Sequence, residues 1–429
     1  MSLTFAVLLL FGTFFLLLFI GCPIAVGLVA ASAITAFTVQ PVASVCPLLV
    51  KKMNGGVENF SLLAFPLFIL AGNLMNNGGI ARKLINFAKL FVGKLPGALA
   101  QTNVVGNMLF GSLSGSAVAA CSAMGGSIYP IEKEEGYDPS FAAAVNIASA
   151  PSGMLIPPSN GFIIYATVVG GTSISALFMA GYIPGILMGL GTMLVAYVYA
   201  KRHKYSKSGS IAFKEAVKVT LQAVPSLLMI VVVIGGIVGG IFTATEGAGV
   251  SVLYCLILSI CYRSVTVKSF IKILYDSAVI SAVILFLISA STAMSYVMVR
   301  TGIPAAVSQA ILSVTDNKYV LLLLINLILL VIGMFLDMTP AILIFVPILW
   351  PIAHSLGMGS IQFGTMLIYN LCIGGMTPPV GSVLFVGCGI TGLRLEQVSK
   401  MLLPYFAVLI LILMLITYIP YLSLAIPKP

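Results

Sequence analysis

The sequence predicts an all-α polytopic membrane protein built from two inverted-topology repeats, with about ten membrane crossings and two re-entrant helical hairpins. Three observations carry this. The chain is 60% hydrophobic and only 7% charged, with a mean hydropathy of +1.15, which excludes a soluble catalytic domain, a nucleic-acid-binding face or a long disordered tail. Its apolar runs are near 20 residues, the length that crosses a hydrocarbon core of about 30 Å. Its Gly and Pro landmarks recur at an almost fixed offset between the two halves.

The apolar runs set the order of elements. Residues 3–21 have no basic region ahead of them and Gly21-Cys22-Pro23 leads straight into 24–37, so the first run reads as a retained span. Further spans are expected over 60–76, 141–170, 173–200, 222–243, 247–262, 276–298, 361–390 and 401–422. Two segments, 96–131 and 318–356, are too long for one crossing and carry Gly, Ser, Asp or Pro at their centres. Each reads as a hairpin whose arms of about 15 residues rise roughly 22 Å before turning back. Ile80–Leu95, with Arg82, Lys83, Lys89 and Lys94, and Thr266–Tyr275, with Lys268 and Lys272, read as helices lying along the interface. A hydrophilic linker, 201–221, holds Lys201, Arg202, His203, Lys204, Lys207, Lys214 and Lys218. With that linker in the cytoplasm, only Lys51, Lys52, Arg300, Lys318 and Lys428 of the 21 basic residues stay outside, and both termini are outside. The formal charge of +10 is therefore topology rather than a partner surface. The seven cysteines form no C-x-x-C pair and read as small hydrophobes, binding no metal.

The halves match at Gly79-Ile80 with Gly302-Ile303, Pro130 with Pro351, Gly136 with Gly357, Pro157-Pro158 with Pro378-Pro379, and Pro184 with Pro404. The first repeat is 1–200, with hairpin 96–131 and broken helix 141–170; the second is 222–429, with hairpin 318–356 and broken helix 361–390. An odd number of crossings in the first turns the second upside down, the plan of secondary transporters that bind at the midplane where broken helices meet.

The candidate site follows from two turn-and-break pairs: Gly111–Ala117 with Ser149–Asn160, and Gly333–Pro340 with Gly374–Ser382. Prolines at the breaks interrupt helices and free carbonyls. Freed carbonyls beside hydroxyls suit sodium, which gives Ser114, Gly115, Ser116, Ser149, Pro151, Ser152 and Gly153 in one half and Asp337, Thr339, Gly374, Gly375 and Thr377 in the other. Asp337 stands out because it follows the apolar run Tyr319–Leu336, where an acid needs a cation or a donor. The opposite helix ends, at Ser116, Pro157, Ser159, Asn160, Pro378, Pro379, Gly381 and Ser382, direct amides and positive dipoles toward an anionic substrate. Ser and Gly also serve close helix packing, the reading kept for Gly185/Gly189 and Gly236/Gly240. Arg300 is a contact for a substrate carboxylate or a docking partner, or a solvated anchor; Glu246 caps a helix; Glu132, Glu134, Glu135 and Asp138 read as a solvated cluster. Gly111-Ser-Leu-Ser-Gly115 is not G-x-S-x-G and no Walker A lysine is present, which leaves an intramembrane hydrolase as a distant alternative. A channel is the other, though paired hairpins favour alternating access.

With these motifs in view, the whole chain resembles the large membrane subunit, DctM type, of tripartite ATP-independent periplasmic (TRAP) transporters. The resemblance rests on Gly111–Ala117, Ile156-Pro-Pro-Ser-Asn160, Gly333–Pro340 with Asp337 and Thr339, and Met376-Thr-Pro-Pro379. It implies an ion-transporter-superfamily fold of the elevator type in the bacterial inner membrane, and sodium ions as coupling ions with no other cofactor. It also implies two partners, a small four-helix membrane subunit and a soluble periplasmic substrate-binding protein. Family substrates are organic acids, chiefly C4-dicarboxylates and sialic acids, and overall likeness leans to the sialic-acid branch. A stand-alone sodium/dicarboxylate symporter of the same superfamily is the nearest rival.

Overall fold

The computed structural model describes residues 3–77, 80–205 and 213–427. Gly79, Lys207 of the expected linker and Lys428 lie outside the described residues. Among the described residues every regular element is helical. The chain opens with α1 (Leu3–Phe19), α2 (Ile24–Phe37) and α3 (Val42–Val57), followed by a 3-10 turn at Phe60–Leu63 and α4 (Ala64–Asn77). α5 (Ile80–Val92) leads to the first hairpin, α6 (Ala98–Ser114) and α7 (Ala117–Glu134). A broken segment follows as α8 (Pro139–Ser149), α9 (Ser152–Leu155) and α10 (Asn160–Val169), then the long α11 (Ile174–Arg202).

The second half runs α12 (Phe213–Val238), α13 (Ala244–Cys261), α14 (Val267–Thr301) and α15 (Ile303–Leu312). Its hairpin is α16 (Lys318–Phe335) and α17 (Met338–Ser355), its broken segment α18 (Ser360–Gly374) and α19 (Ser382–Thr391), and α20 (Leu395–Tyr418) with α21 (Tyr421–Leu424) close the chain. Helix starts recur in step: 98 and 318, 117 and 338, 139 and 360, 160 and 382, 174 and 395. Among the described residues seven helices are long and apolar enough to cross a membrane, namely α11, most of α12, α13, α14, α16, α17 and α20; a pair bent by 64°, Ala43–Val57 with Phe60–Asn76, adds one more if it is a single span. α1, α2, α10 and α19 are apolar but shorter.

Four local expectations are corrected. α3 was not foreseen, because Lys51, Lys52 and Pro47 lower the apolar character of a helix that packs on α14; Lys52 Nζ lies 5.0 Å from the centroid of the Tyr296 ring. α15 likewise had no expected counterpart. Thr266–Tyr275 is not a separate surface helix, since Thr266 and Ser269 form a capping box and α14 continues unbroken for 35 residues, about 52 Å at 1.5 Å per residue. The linker is also shorter, because α12 already begins at Phe213.

Packing separates two groups. α4 lies against α13 and α14, and α14 against α2 and α3, forming a framework of continuous helices. The hairpins pack with the broken segments and with α11 and α20. Gly72 on α4 meets the first hairpin tip: a Cβ there would sit 2.9 Å from the Ser114 carbonyl oxygen. Packing also explains Gly185, which abuts Ile156, and Gly189 and Gly236, which abut the side chains of Met108 and Phe242; Gly240 does not follow the packing expectation, because a Cβ there meets nothing within 4 Å and its φ of 71° marks a backbone turn.

Candidate ion and substrate site

Each hairpin turns in two residues. α6 ends because Gly115 takes a left-handed conformation, φ 62°, while its N–H donates to the Gly111 carbonyl at 2.8 Å. Ser116 starts α7 by accepting from the Ala119 N–H at 3.2 Å. In the second hairpin Leu336 and Asp337 occupy the corresponding turn, and Asp337 is the N-cap residue of α17. Its carboxylate is exposed and accepts from the Ser382 hydroxyl at 3.1 Å, which joins the hairpin tip to the start of α19. Asn160 makes the parallel link in the first half, donating to the Gly115 carbonyl at 3.4 Å.

The breaks sit directly behind these tips. Pro157, Pro158, Pro378 and Pro379 lack N–H donors, so no helix ladder continues through them. Behind the tips the hairpin and the broken segment touch backbone to backbone. A Cβ on Gly153 would fall 2.6 Å from the Gly111 carbonyl carbon and 2.8 Å from the Asn107 oxygen. A Cβ on Gly374 would fall 2.7 Å from the Gly333 carbonyl carbon and 2.9 Å from its oxygen. Only glycine fits at these two crossings.

Buried amides stitch the same helices together, a feature the sequence analysis missed. Asn107 Nδ2 donates to Asn103 Oδ1, Asn146 Oδ1 and Ser149 Oγ at 2.9, 3.0 and 2.8 Å. In the second half Asn370 Nδ2 donates to Asn326 Oδ1 at 3.0 Å and Asn326 Nδ2 to Thr417 Oγ1 at 3.1 Å. Asparagines inside otherwise apolar helices were the available signal.

The two tips face one cavity of about 540 Å³. Ser114, Gly115, Ser116, Pro151 and Asn160 line it from the first half, and Asp337, Thr339, Gly375 and Ser382 from the second. The starts of four helices, α7, α10, α17 and α19, therefore open onto the same space, each with amides and the positive end of a dipole. The C-terminal ends of α6 and α18, with the negative ends of their dipoles, reach it as well. Asp337 is the one charged side chain on the described lining, which holds no Lys, Arg or His. The opposite wall comes from α4 and α14, through Gly72, Asn73, Asn76, Ile280 and Ile284. These wall residues were not foreseen, because they lie in unbroken helices.

The remaining predicted residues lie behind the cavity. Ser149 and Ser152 are fully buried and donate to the carbonyls of Val145 and Ser149 at 2.7 and 2.5 Å. Thr377 donates to Ile373 at 2.7 Å. A hydroxyl whose proton is spent on a carbonyl keeps its lone pairs for a cation. Among the described residues the Ser159 hydroxyl is buried with no hydrogen-bond partner. Gly153, Gly374 and Gly381 are buried, as is Pro157, whereas Pro379 is exposed and Pro378 half-buried; none of them reaches the lining. This donor set of neutral oxygens with one carboxylate fits a hard monovalent cation. Among the described residues no group of three His, Cys, Asp or Glu is placed to hold a metal. Arg300 is exposed at the end of α14 and does not line the cavity.

Two other acids are settled by the structure. Glu246 forms a capping box with Thr243 at the start of α13. Glu132 contradicts the expectation of a solvated cluster: it is fully buried, and neither carboxylate oxygen has a partner among the described residues. It lies in the last turn of α7, beside the exposed Lys133, Glu134 and Glu135. Burial first, and the Glu135 carboxylate second, push its carboxyl up to about 8. Cys121, Met124, Ile128 and Glu132 form one buried stripe along α7.

A multi-pass helical membrane protein whose broken segments and hairpin tips meet in one central cavity is, in class, a transport protein and not an enzyme. The family model for the DctM component of tripartite ATP-independent periplasmic transporters matches residues 11–422, and the chain belongs to this family. It is 46% identical to the uncharacterised protein YgiK of Salmonella typhimurium, over 99% of this chain and 97% of that one. It is 37% identical to the isethionate TRAP transporter permease protein DctMQ of Oleidesulfovibrio alaskensis, over 96% of this chain and 65% of that one. It is 36% identical to the sialic acid TRAP transporter large permease protein SiaM of Vibrio cholerae, over 96% of both. Among solved structures the fold is similar to that of the Alcanivorax borkumensis YdaH transporter, whose topology is described as unusual, with a TM-score of 0.61 at 16% identity and 88% coverage of each chain.

Proposed function

We propose that this chain is the sodium-driven large permease of a three-part importer, moving an organic-acid anion through the inner membrane. The observation that carries this is the cavity onto which four helix starts open, with carbonyl-bearing helix ends and Asp337 beside them. Helix starts, hydroxyls and amides attract an anion without a fixed cationic side chain. The oxygens of Ser114, Ser149, Ser152 and Gly115 in one half, and of Asp337, Thr377 and Gly375 in the other, attract sodium. Sodium bound at the tips adds the positive charge the cavity walls lack, so each ligand strengthens the site for the other. Each net positive charge carried inward down 100 mV contributes about 2.3 kcal/mol before any concentration gradient.

The matched helix starts support two repeats of inverted topology, and packing that is denser within the framework and within the hairpin group than between them supports an elevator motion of one against the other. In this scheme a small membrane subunit and a periplasmic binding protein complete the transporter, and both termini face the periplasm. The substrate is an organic acid; sialic acid and isethionate, named for relatives of nearly equal identity, are the first two to test. The test is uptake into proteoliposomes holding this chain and its small partner subunit, with the sodium gradient and the binding protein varied independently. Uptake driven by sodium without the binding protein would instead assign a stand-alone symporter.

A further inference from the structure

The central cavity does not end at the hairpin tips. A second cavity of about 440 Å³ shares Asn73, Asn76 and Ile280 with it and adds Ile273, Tyr275, Asp276 and Val279. Tyr275 and Asp276 are exposed, so the shared residues stand between an inner chamber and an outer one. Asn73 and Asn76 are three residues apart on α4 and thus on one face. Asn73 also donates to the Ser277 hydroxyl at 2.8 Å, which fixes α4 against α14 at this point. The outer chamber belongs to the end of the molecule that carries the start of α14, with Lys268 and Lys272, and the helix α5, whose Lys83 Nζ lies 3.0 Å from the centroid of the Tyr262 ring. Basic residues gather at the cytoplasmic end of a membrane protein.

We propose that Asn73 and Asn76 form a release station, a second binding place for the transported carboxylate or sulfonate anion on its way from the hairpin tips to the cytoplasm. The proposal rests on the import function proposed above. Carboxamide N–H groups donate to an anionic oxygen, whereas the fixed carboxylate of Asp276 at the mouth repels it. The carboxylate therefore weakens the station's hold on the anion, so that it is released readily. It belongs to the framework helices and not to the hairpin group, so it acts only when the hairpin group faces inward.

The experiment compares affinities on the two sides of the membrane. Proteoliposomes with the complete transporter are assayed for external half-saturation by binding-protein-dependent uptake. Internal half-saturation is read by counterflow from preloaded vesicles. Labelled sialic acid and labelled isethionate are the probes. Asn76→Ala raises the internal constant about tenfold, the scale of one hydrogen bond to a charged group, and by more than it raises the external constant. Asn76→Gln restores the internal constant, and Asp276→Asn lowers it. Asn73→Ala also breaks the link to Ser277, so the exposed Asn76 carries the test if that variant fails to fold. Unchanged constants in an active Asn76→Ala protein, or equal shifts on both sides, overturn the station alone. Wild-type vesicles with no sodium-driven uptake of either probe, nor of a labelled C4-dicarboxylate, overturn the functional proposal and the station with it.

Discussion

Replacing Gly153 or Gly374 by alanine should abolish tight sodium binding while leaving the protein in the membrane. At each position the new Cβ would fall about 0.7–0.8 Å inside the shortest ordinary contact of 3.4 Å, against the carbonyl carbon of Gly111 or Gly333. Both partners at each crossing are backbone, so no side chain can swing aside. Either α6 moves away from α9 or α16 away from α18, and the hairpin tip moves with it. Overpacking of this kind costs about 1–3 kcal/mol, which is about fivefold to 150-fold in an equilibrium that depends on the packed state. Gly333→Ala is the milder change, since its Cβ would stand 3.0 Å from Gly374 Cα. Gly126→Ala and Gly389→Ala are the controls, because a Cβ there meets nothing within 4 Å. The assay is the sodium concentration for half-maximal uptake, with sodium-dependent thermal stabilisation of the purified protein as a second readout. Gly153→Ala and Gly374→Ala proteins that fold and keep the wild-type sodium constant would refute the claim that these crossings hold the ion sites.

Three further outcomes are expected. Asp337→Asn keeps a group that can pair with Ser382 but loses the charge, so sodium half-saturation should rise at least tenfold and uptake should fall; Ser382→Ala should have a smaller effect of the same sign, read in the same uptake assay. For Glu132 the folded carboxyl titrates at about 8 against an ordinary value of 4.5, so the folded chain favours the neutral acid. Its contribution to stability is intact below about pH 4.5, is lost as pH rises towards 8 and changes little beyond. The loss is on the order of 5 kcal/mol. Glu132→Gln should therefore melt higher than wild type at pH 8.5 and alongside it at pH 5, measured by thermal unfolding in detergent. Arg300→Ala should raise the binding-protein concentration needed for half-maximal uptake, most visibly at low salt, because Arg300 is exposed and away from the cavity.

Much of the hairpin and break geometry was legible because it departs from ordinary membrane helices. Gly115 and Ser116, or Leu336 and Asp337, interrupt apolar runs in a way a simple span does not need, and the prolines at 157–158 and 378–379 mark where the ladders stop. Residues that build the site without breaking a helix left weaker traces. Asn73 and Asn76 sit in the regular helix α4 and become cavity wall only through the placement of α14. Glu132 was misplaced because its charged neighbours dominate the local pattern, although the stripe through Cys121, Met124 and Ile128 already placed it on the inward face. The continuity of α14 was hidden for the opposite reason. Lys268 and Lys272 suggest an interfacial segment, while a capping box and an uninterrupted ladder make them part of the first turns of a long helix.

The most direct test of sodium-driven, three-part import is uptake of labelled sialic acid and labelled isethionate into proteoliposomes containing this chain and its small partner subunit. Four conditions suffice, with and without an inward sodium gradient and with and without the external binding protein. The account predicts accumulation of one of these organic acids only when both are present, and its loss in Asp337→Asn. Accumulation that persists without sodium, or at full rate without the binding protein, would contradict it.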